Sequence, residues 1–565
     1  MIAAILDPGG RRAGPEAALR RAGATAVARF GAMWLGWTGG PPLEVDGVTV
    51  LVDGPAGERA ASLLAGAARG RPPAPEVPTG LAWAAAEDRG AAVRDLTGAR
   101  PLFVRREGEV TYLASEVREL LALLPGAPGT DDEAAALWLA MEPLGQRTLY
   151  AGVAPVPAGH WRAFDAASAR RYWQPAPESL SLGREAAAER VWTALREAVG
   201  PCVRAAERPA VRLSGGLDSS AVLAAAIAEG VVPAAVSTVF PQYPEADEAE
   251  LIAAVAGQLG APSRTFAAGP RDLLADGAAF LARWGVPQEY PGRGLFHPML
   301  EAAAAAHDVV LDGEGGDELF GCEPFLLADL VRHGRLAAAR RVAHRLPGAP
   351  ERLPARAYRV IARRWVAGPL APARLRPPAR VGADLDWFAD AMTPRARAAV
   401  RARRAQLDWR SRPGPRWLAR RIALIVTLPA EAGSADYLRR VTAMAGVSGA
   451  SPLTDRRLVE TVLSLPPEHA FDRRRDKELL RTALAGHVPD VVRLRAEKSH
   501  FGDAVLDNLD RAALLERLTP DLAPYLDVAR VRRQVQAGPD AHPRGRAGWM
   551  FESWRAAMLA TFLTR

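Results

Sequence analysis

The string SGGLDSS, Ser214 to Ser220, lies between a short apolar run and an Ala-rich run of helical periodicity. Its glycines let backbone N–H groups approach a phosphate at a helix N-terminus. It is not a Walker loop, because no GK[ST] is present, and Asp218 inside it suits a metal-bound pyrophosphate better than a bare anion. Taken alone, the string also reads as a plain glycine turn capped by Asp and Ser. A second string, LDGEGGDELFG from Leu311 to Gly321, follows another apolar run and offers Glu314 and Asp317 on a loop where the backbone can come close to a ligand. By itself its DEL also reads as a helix start, acids being favoured by the helix dipole. Two such loops together imply one shared site. There Asp218 and Asp317 are expected to meet across a Mg²⁺ bound to the phosphates of ATP, oxygen ligands being what this hard cation prefers.

Lysine usage points the same way. Of 72 basic residues only Lys477 and Lys498 are lysine. Arg is a planar fork, whereas Lys is a compact point charge that can follow charge developing on a phosphate or an oxyanion. In so Arg-biased a chain, the two retained lysines read as held for such a role, with two surface lysines that escaped the bias by chance as the plain alternative.

The elements that must hold these residues follow from the pattern. The apolar run PAVRL, SGGLDSS, an Ala-rich helix, AAVSTVF, another helix and later HDVVLDGEGGDELFG alternate as strand, loop and helix, which predicts a parallel α/β sheet with glycine loops at the strands' carboxyl ends. Residues 1–175 instead read as short strands with hairpin-like turns, for example VDGVTVLVDG and VRDLTGARPLFVRREGEVTYLASE, an antiparallel α+β domain. The polar stretch Gln174 to Glu185 marks the boundary, a helix is predicted from Ala186 to Ala206, and the second domain covers 185–565, with a mainly helical part over 324–565.

Composition narrows the classes further. With 49% hydrophobic and 24% charged residues, disorder, collagen and coiled coil are poor readings. The longest uncharged run, Gly230 to Pro244, is too short and too broken by proline to span a bilayer. MIAAILDPGGRR lacks the charged leader and long apolar core of a signal peptide, so a cytoplasmic protein is expected. Cys202 and Cys322 form no CxxC pair and give no case for zinc or a disulfide framework. The net charge of +8 comes from one segment. Arg332 to Arg421 holds 23 arginines against five acidic residues, and the rest of the chain is net acidic. That segment reads as solubilising arginine whose stems cover apolar surface, with a basic groove for an acidic peptide as the sharper alternative.

These motifs resemble those of the asparagine synthetase group of ATP pyrophosphatases, and the resemblance covers most of the chain. SGGLDSS is similar to the family's pyrophosphate loop and GEGGDELFG to its second nucleotide loop. RDLTGARPLF, ASEVRELL and TLYAGVAPVPAGH followed by RYW resemble its glutamine-hydrolysing domain, an Ntn-type antiparallel sandwich. The resemblance implies that Ser214, Gly215, Gly216, Leu217, Asp218 and Ser219 hold pyrophosphate and metal. Val239 and Gly313 lie near adenine and ribose, Asp317 completes the Mg²⁺ site, and Lys477 and Lys498 face phosphate, Lys498 on a mobile loop over the acyl-adenylate.

Departures from the family pattern narrow the substrate. The family's glutaminase uses cysteine as residue 2, and this chain has Ile2, so its N-terminal domain should release no ammonia. Where the family reads close to VEARVPFLD, a helix whose Glu helps position the acceptor, this chain reads VSGASPLTD, with Ser448 and Ala450 in place of Glu and Arg. β-Lactam-forming relatives place Tyr at the position of Glu314 and pair it with that same Glu, and both are missing. The best overall match is the lasso peptide cyclase branch, through the stretch from Phe296 that joins the second loop to ADL and RHGRL. It implies a precursor core peptide as substrate, a leader peptidase and a leader-recognition protein as partners, ATP as co-substrate with Mg²⁺, and no nucleic acid or membrane. Lys498 and Glu314 would then act at the reacting centre, Glu314 by orienting the amine or accepting its proton. An asparagine synthetase- or β-lactam synthetase-like ligase of a small molecule is the alternative. A nucleotide-binding scaffold without chemistry and a nucleic-acid-modifying pyrophosphatase are the other classes.

Overall fold

The computed structural model describes residues 1–53, 58–321, 325–346, 366–367, 388, 390–406, 414–423, 434–472, 475–497 and 499–565. The N-terminal strands pair into two antiparallel sheets because their residues alternate between two apolar surroundings. Ile2, Ala4 and Leu6 of the strand Ile2–Leu6 face inward onto Leu51, Leu81 and Trp83 of the opposite sheet. Ala3 and Ile5 point outward beneath the helices Pro15–Arg21 and Val117–Leu123. The outer face of the second sheet is covered by the helix Glu58–Ala68. One sheet runs Ala154–Pro155, Phe103–Glu107, Val110–Ala114, Ile2–Leu6, Met33–Trp37, Ala26–Phe30; the other runs Arg170–Arg171, His160–Ala163, Arg89–Val93, Gly80–Ala84, Val48–Val52, Leu43–Val45. The VDGV turn read from sequence joins Val45 to Val48 with positive φ at both Asp46 (50°) and Gly47 (72°), the two-residue turn whose twist matches that of the flanking strands.

The second architecture is a five-stranded parallel sheet in the order Ser263–Ala267, Ala234–Val239, Pro209–Arg212, Val309–Leu311, Ser448–Ala450. Helices Arg184–Arg204, Leu217–Ala228 and Ala249–Leu259 cover one face, and Leu273–Trp284, His297–Ala304 and Ser434–Met444 the other. From Pro209–Arg212 the chain builds outward in one direction, then returns to add Val309–Leu311 on the opposite side. Their carboxyl-terminal loops therefore diverge and leave a crevice at the switch point, where open α/β sheets place ligands. SGGLDSS and DGEGGDE are those two loops.

One expectation needs correction. The part after residue 324 is mainly helical among the described residues, but Ser448–Ala450 is the fifth strand of the sheet and Phe471–Asp472 pairs with Arg475–Asp476. VSGASPLTD, aligned by resemblance with a helix, begins as that strand. Three residues are too few to show a period, and it is the register Val309 to Ser448 through Leu311 to Ala450 that makes them strand. Much of the basic segment 332–421 lies outside the described residues. Among the described residues no helix is long and apolar enough to cross a membrane.

A buried ion network joins the two architectures. Glu116 caps the helix Val117–Leu123 and also accepts from Arg439 and from Arg440 Nε at 3.0 Å. Arg440 in turn meets Asp436 at 3.2 Å, with Arg94 of the N-terminal domain 4.0 Å beyond. The helix that carries Asp436 to Arg440 runs on into the strand Ser448–Ala450. Glu116→Gln, which keeps the shape and removes the charge, should cost about 3–5 kcal/mol by taking one carboxylate out of a buried network and leaving Arg440 with Asp436 alone. Unfolding in guanidinium chloride checks this, and a midpoint unchanged from the parent would refute it.

Candidate active site

The first loop is shaped by its own hydroxyls. Gly216 caps the helix Leu217–Ala228, the Ser219 and Ser220 hydroxyls donate to its carbonyl at 3.3 and 2.8 Å, and the Ser214 N–H donates to Ser219 Oγ at 3.1 Å. Gly215 sits at φ +77°, and a Cβ there would lie 3.0 Å from that of Glu248. Both features tighten the turn, so the helix presents its first N–H groups at the open end, a natural place for an anion.

The second loop is folded onto the first. A Cβ at Gly313 would lie 2.7 Å from the Ser219 nitrogen and 2.9 Å from the Asp218 carbonyl carbon, and one at Gly316 would overlap the Asp218 carboxylate. Gly313 is therefore glycine because of contact with the backbone of a loop about a hundred residues away in sequence, and Gly316 because the Asp218 carboxylate lies against it. Asp218 and Asp317 come together at one cation, the Lys477 ammonium, which bonds Asp218 and lies 2.6 Å from Asp317. Lys477 stands at φ 58°, between the strand Arg475–Asp476 and the helix Glu478–Ala483. Burial opposes its charge, but the two aspartates hold its pKa above the ordinary lysine range. Two carboxylates close enough to share one positive charge are a fitting donor pair for Mg²⁺, phosphate oxygens and water completing the shell of this hard ion.

Glu314 lies between those contacts. Arg212 Nη2 and Arg293 Nη1 each donate to its Oε1 at 3.0 Å. Arg293 first, and then Arg212, draw its pKa down to about 2 against the opposing effect of burial. Of the two roles expected for Glu314, this state favours orienting an amine over accepting its proton, since so weak a base holds no proton near neutrality. Asp312 behind it is pushed up by burial. Val239 ends the strand Ala234–Val239 half-buried, and its carbonyl accepts from Ala268 N–H at 2.8 Å. Lys498 lies outside the described residues. Its neighbours are tied to the site, because Arg495 pairs with Glu248 beside the first loop and donates to Ser499 Oγ at 2.8 Å, while Phe501 stacks on Phe240.

Arg212, Arg293, Glu248 and Arg495 were not picked out from the sequence. Arg212 had a signal of its own, as the one charge in the apolar run PAVRL. The other three become visible only once the loops are folded together. In the N-terminal domain, Ile2 is 1% exposed, its side chain part of the core between the sheets and its N–H donating to Ser115 Oγ at 2.9 Å. No reactive side chain stands at residue 2.

Comparison with known families agrees with the two architectures. A family model described as asparagine synthase matches residues 190–564, and one described as a glutamine amidotransferase domain matches residues 80–173. No curated protein matches the chain.

Proposed function

Because the chain belongs to the asparagine synthase family and is an ATP-dependent, AMP-forming carbon–nitrogen ligase, we propose that it is a lasso peptide cyclase. It joins the N-terminal amine of a precursor core peptide to an Asp or Glu side chain of the same peptide. The observation that carries this reading is Ile2. With a buried isoleucine where the family's glutaminase has its nucleophile, the N-terminal domain has no thiol to free ammonia, so the nitrogen comes from elsewhere, which an amine on the substrate itself supplies. The altered acceptor stretch supports it too, since Ser448 and Ala450 offer no charged pair for a free amino acid.

In this reading the first loop, Ser214 to Ser219, holds the β- and γ-phosphates at the helix N-terminus, and Val239 and Gly313 flank the nucleoside. Asp218 and Asp317 hold the Mg²⁺, which when bound neutralises phosphate charge and so eases departure of pyrophosphate. Lys477 and Lys498 serve the same charge from the protein side. The ring-forming carboxylate attacks the α-phosphate, giving an acyl-adenylate and pyrophosphate. The peptide's own amine then attacks the acyl carbon, AMP leaves with the bonding pair, and the amine's proton passes to solvent or to a nearby base. Closing a ring around a threaded tail adds loop-closure entropy to the barrier, so the enzyme must hold the folded peptide while water is kept from the adenylate. A leader peptidase and a leader-recognition protein act before this step.

The test is Mg²⁺-ATP with a leader-free core peptide, with and without the candidate leader peptidase and with no glutamine present. AMP together with a protease-resistant product lighter by one water is the expected result. AMP with a single free amino acid, and with no peptide, would instead identify a small-molecule amide ligase.

A further inference from the structure

Glu314 sits under more positive charge than one carboxylate requires. Two guanidiniums converge on its Oε1, and the next acid, Asp312, is buried 3.9 Å from Arg212, where burial pushes its pKa up. The cluster is open to solvent, its Arg212, Arg293 and Glu314 side chains keeping 20, 22 and 33% exposure. It is also held in place. Arg212 lies over the Phe296 ring at 5.6 Å, and that ring packs edge-on against Phe240 and Phe501. Arg212 ends the strand that leads into SGGLDSS, and Glu314 lies on the loop whose Gly313 packs on Ser219 and whose Gly316 packs on Asp218. An anion held by the two guanidiniums therefore lies against the phosphate loop.

We propose that Arg212 and Arg293 are the docking point of the carboxylate that is to be adenylated, and that Glu314 is an internal carboxylate occupying this point until the substrate arrives. A carboxylate and a triphosphate repel each other, so the attacking acid needs a local cation, and the planar guanidinium fork matches a carboxylate better than an ammonium does. Exchange of one carboxylate for another keeps both guanidiniums paired with an anion. Glu314, once displaced, lies beside the docked acid, where it can receive the incoming amine. Arg212 is thus a specificity-determining residue that demands an acid. This inference rests on the ligase reading of the same site, but not on the acid being part of a peptide.

Acid-dependent ATP–pyrophosphate exchange reads adenylation without amide formation. The acids to offer are L-aspartate, L-glutamate and an N-acetylated peptide carrying one Asp or Glu, whose blocked amine cannot react. Arg212→Leu is expected to raise the KM for the acid about tenfold or more and to leave the KM for ATP within about twofold, with Arg212→Lys in between. Glu314→Gln is expected to keep or lower the KM for the acid while slowing amide formation with the unblocked peptide. Equal shifts in both KM values for Arg212→Leu, or a rise in acid KM for Glu314→Gln as large as that for Arg212→Leu, would overturn the proposal. Exchange driven by a free amino acid and not by the peptide would refute the cyclase reading and still test the docking point. Should no acid drive exchange, thermal melting decides. A rise in Tm with one of these acids that Arg212→Leu abolishes supports the docking point, and no rise with any of them rejects it.

Discussion

Lys477→Ala is expected to lower single-turnover AMP formation by about two to three orders of magnitude at saturating ATP, the size of effect that follows removal of one preorganised electrostatic group from a reacting centre. Its ammonium is the point at which Asp218 and Asp317, from two separate loops, come together. Without it the loops lose a shared partner, and the leaving pyrophosphate loses a cation that the two aspartates hold charged. Lys477→Arg should recover little. A planar fork does not replace a point charge between two carboxylates. Rapid-quench measurement of AMP checks this, with circular dichroism to show that the variant is folded. A rate within tenfold of the parent would mean that Lys477 only ties the loops together.

Gly313→Ala should be nearly as damaging, for a steric reason. The new methyl group would sit 2.7 Å from the Ser219 nitrogen and 2.9 Å from the Asp218 carbonyl carbon, which are backbone atoms with no rotamer to escape into. The loops must separate, and overpacking of this kind costs about 1–3 kcal/mol of stability. A displacement of about 1 Å between the two loops is enough for a loss on the order of 10²-fold in rate. The expected result is a protein that still folds, with a higher KM for ATP and AMP formation reduced by about that factor. Isothermal titration with a non-hydrolysable ATP analogue checks the first part. Binding equal to the parent's, with normal turnover, would show that the contact between the loops has no role in the site.

The glycine loops were legible because their chemistry is local. Gly215 at φ +77° and Gly216 as a helix cap are properties of a seven-residue string, and the apolar runs before each loop announce the strands that carry them. The missing nucleophile at Ile2 was legible in the same way, as was the two-residue turn at Asp46 and Gly47. Periodicity failed at Ser448–Ala450. That segment is a strand because Val309–Leu311 lies beside it, and no intrinsic preference of Ser, Gly and Ala dictates it.

The sequence by itself therefore determined the two nucleotide loops, the pair of lysines retained among arginines and the absence of a thiol at residue 2. Each depends on the identity of one residue or on the backbone freedom of a few neighbours. Only the tertiary structure decided that Lys477 meets Asp218 across 259 residues, that Gly313 is glycine for the sake of Ser219, and that Arg212 and Arg293 both bond Glu314 and draw its pKa down. A side chain's charge state and reach are set by burial and by partners brought from distant strands, and those come from the packing of the sheet.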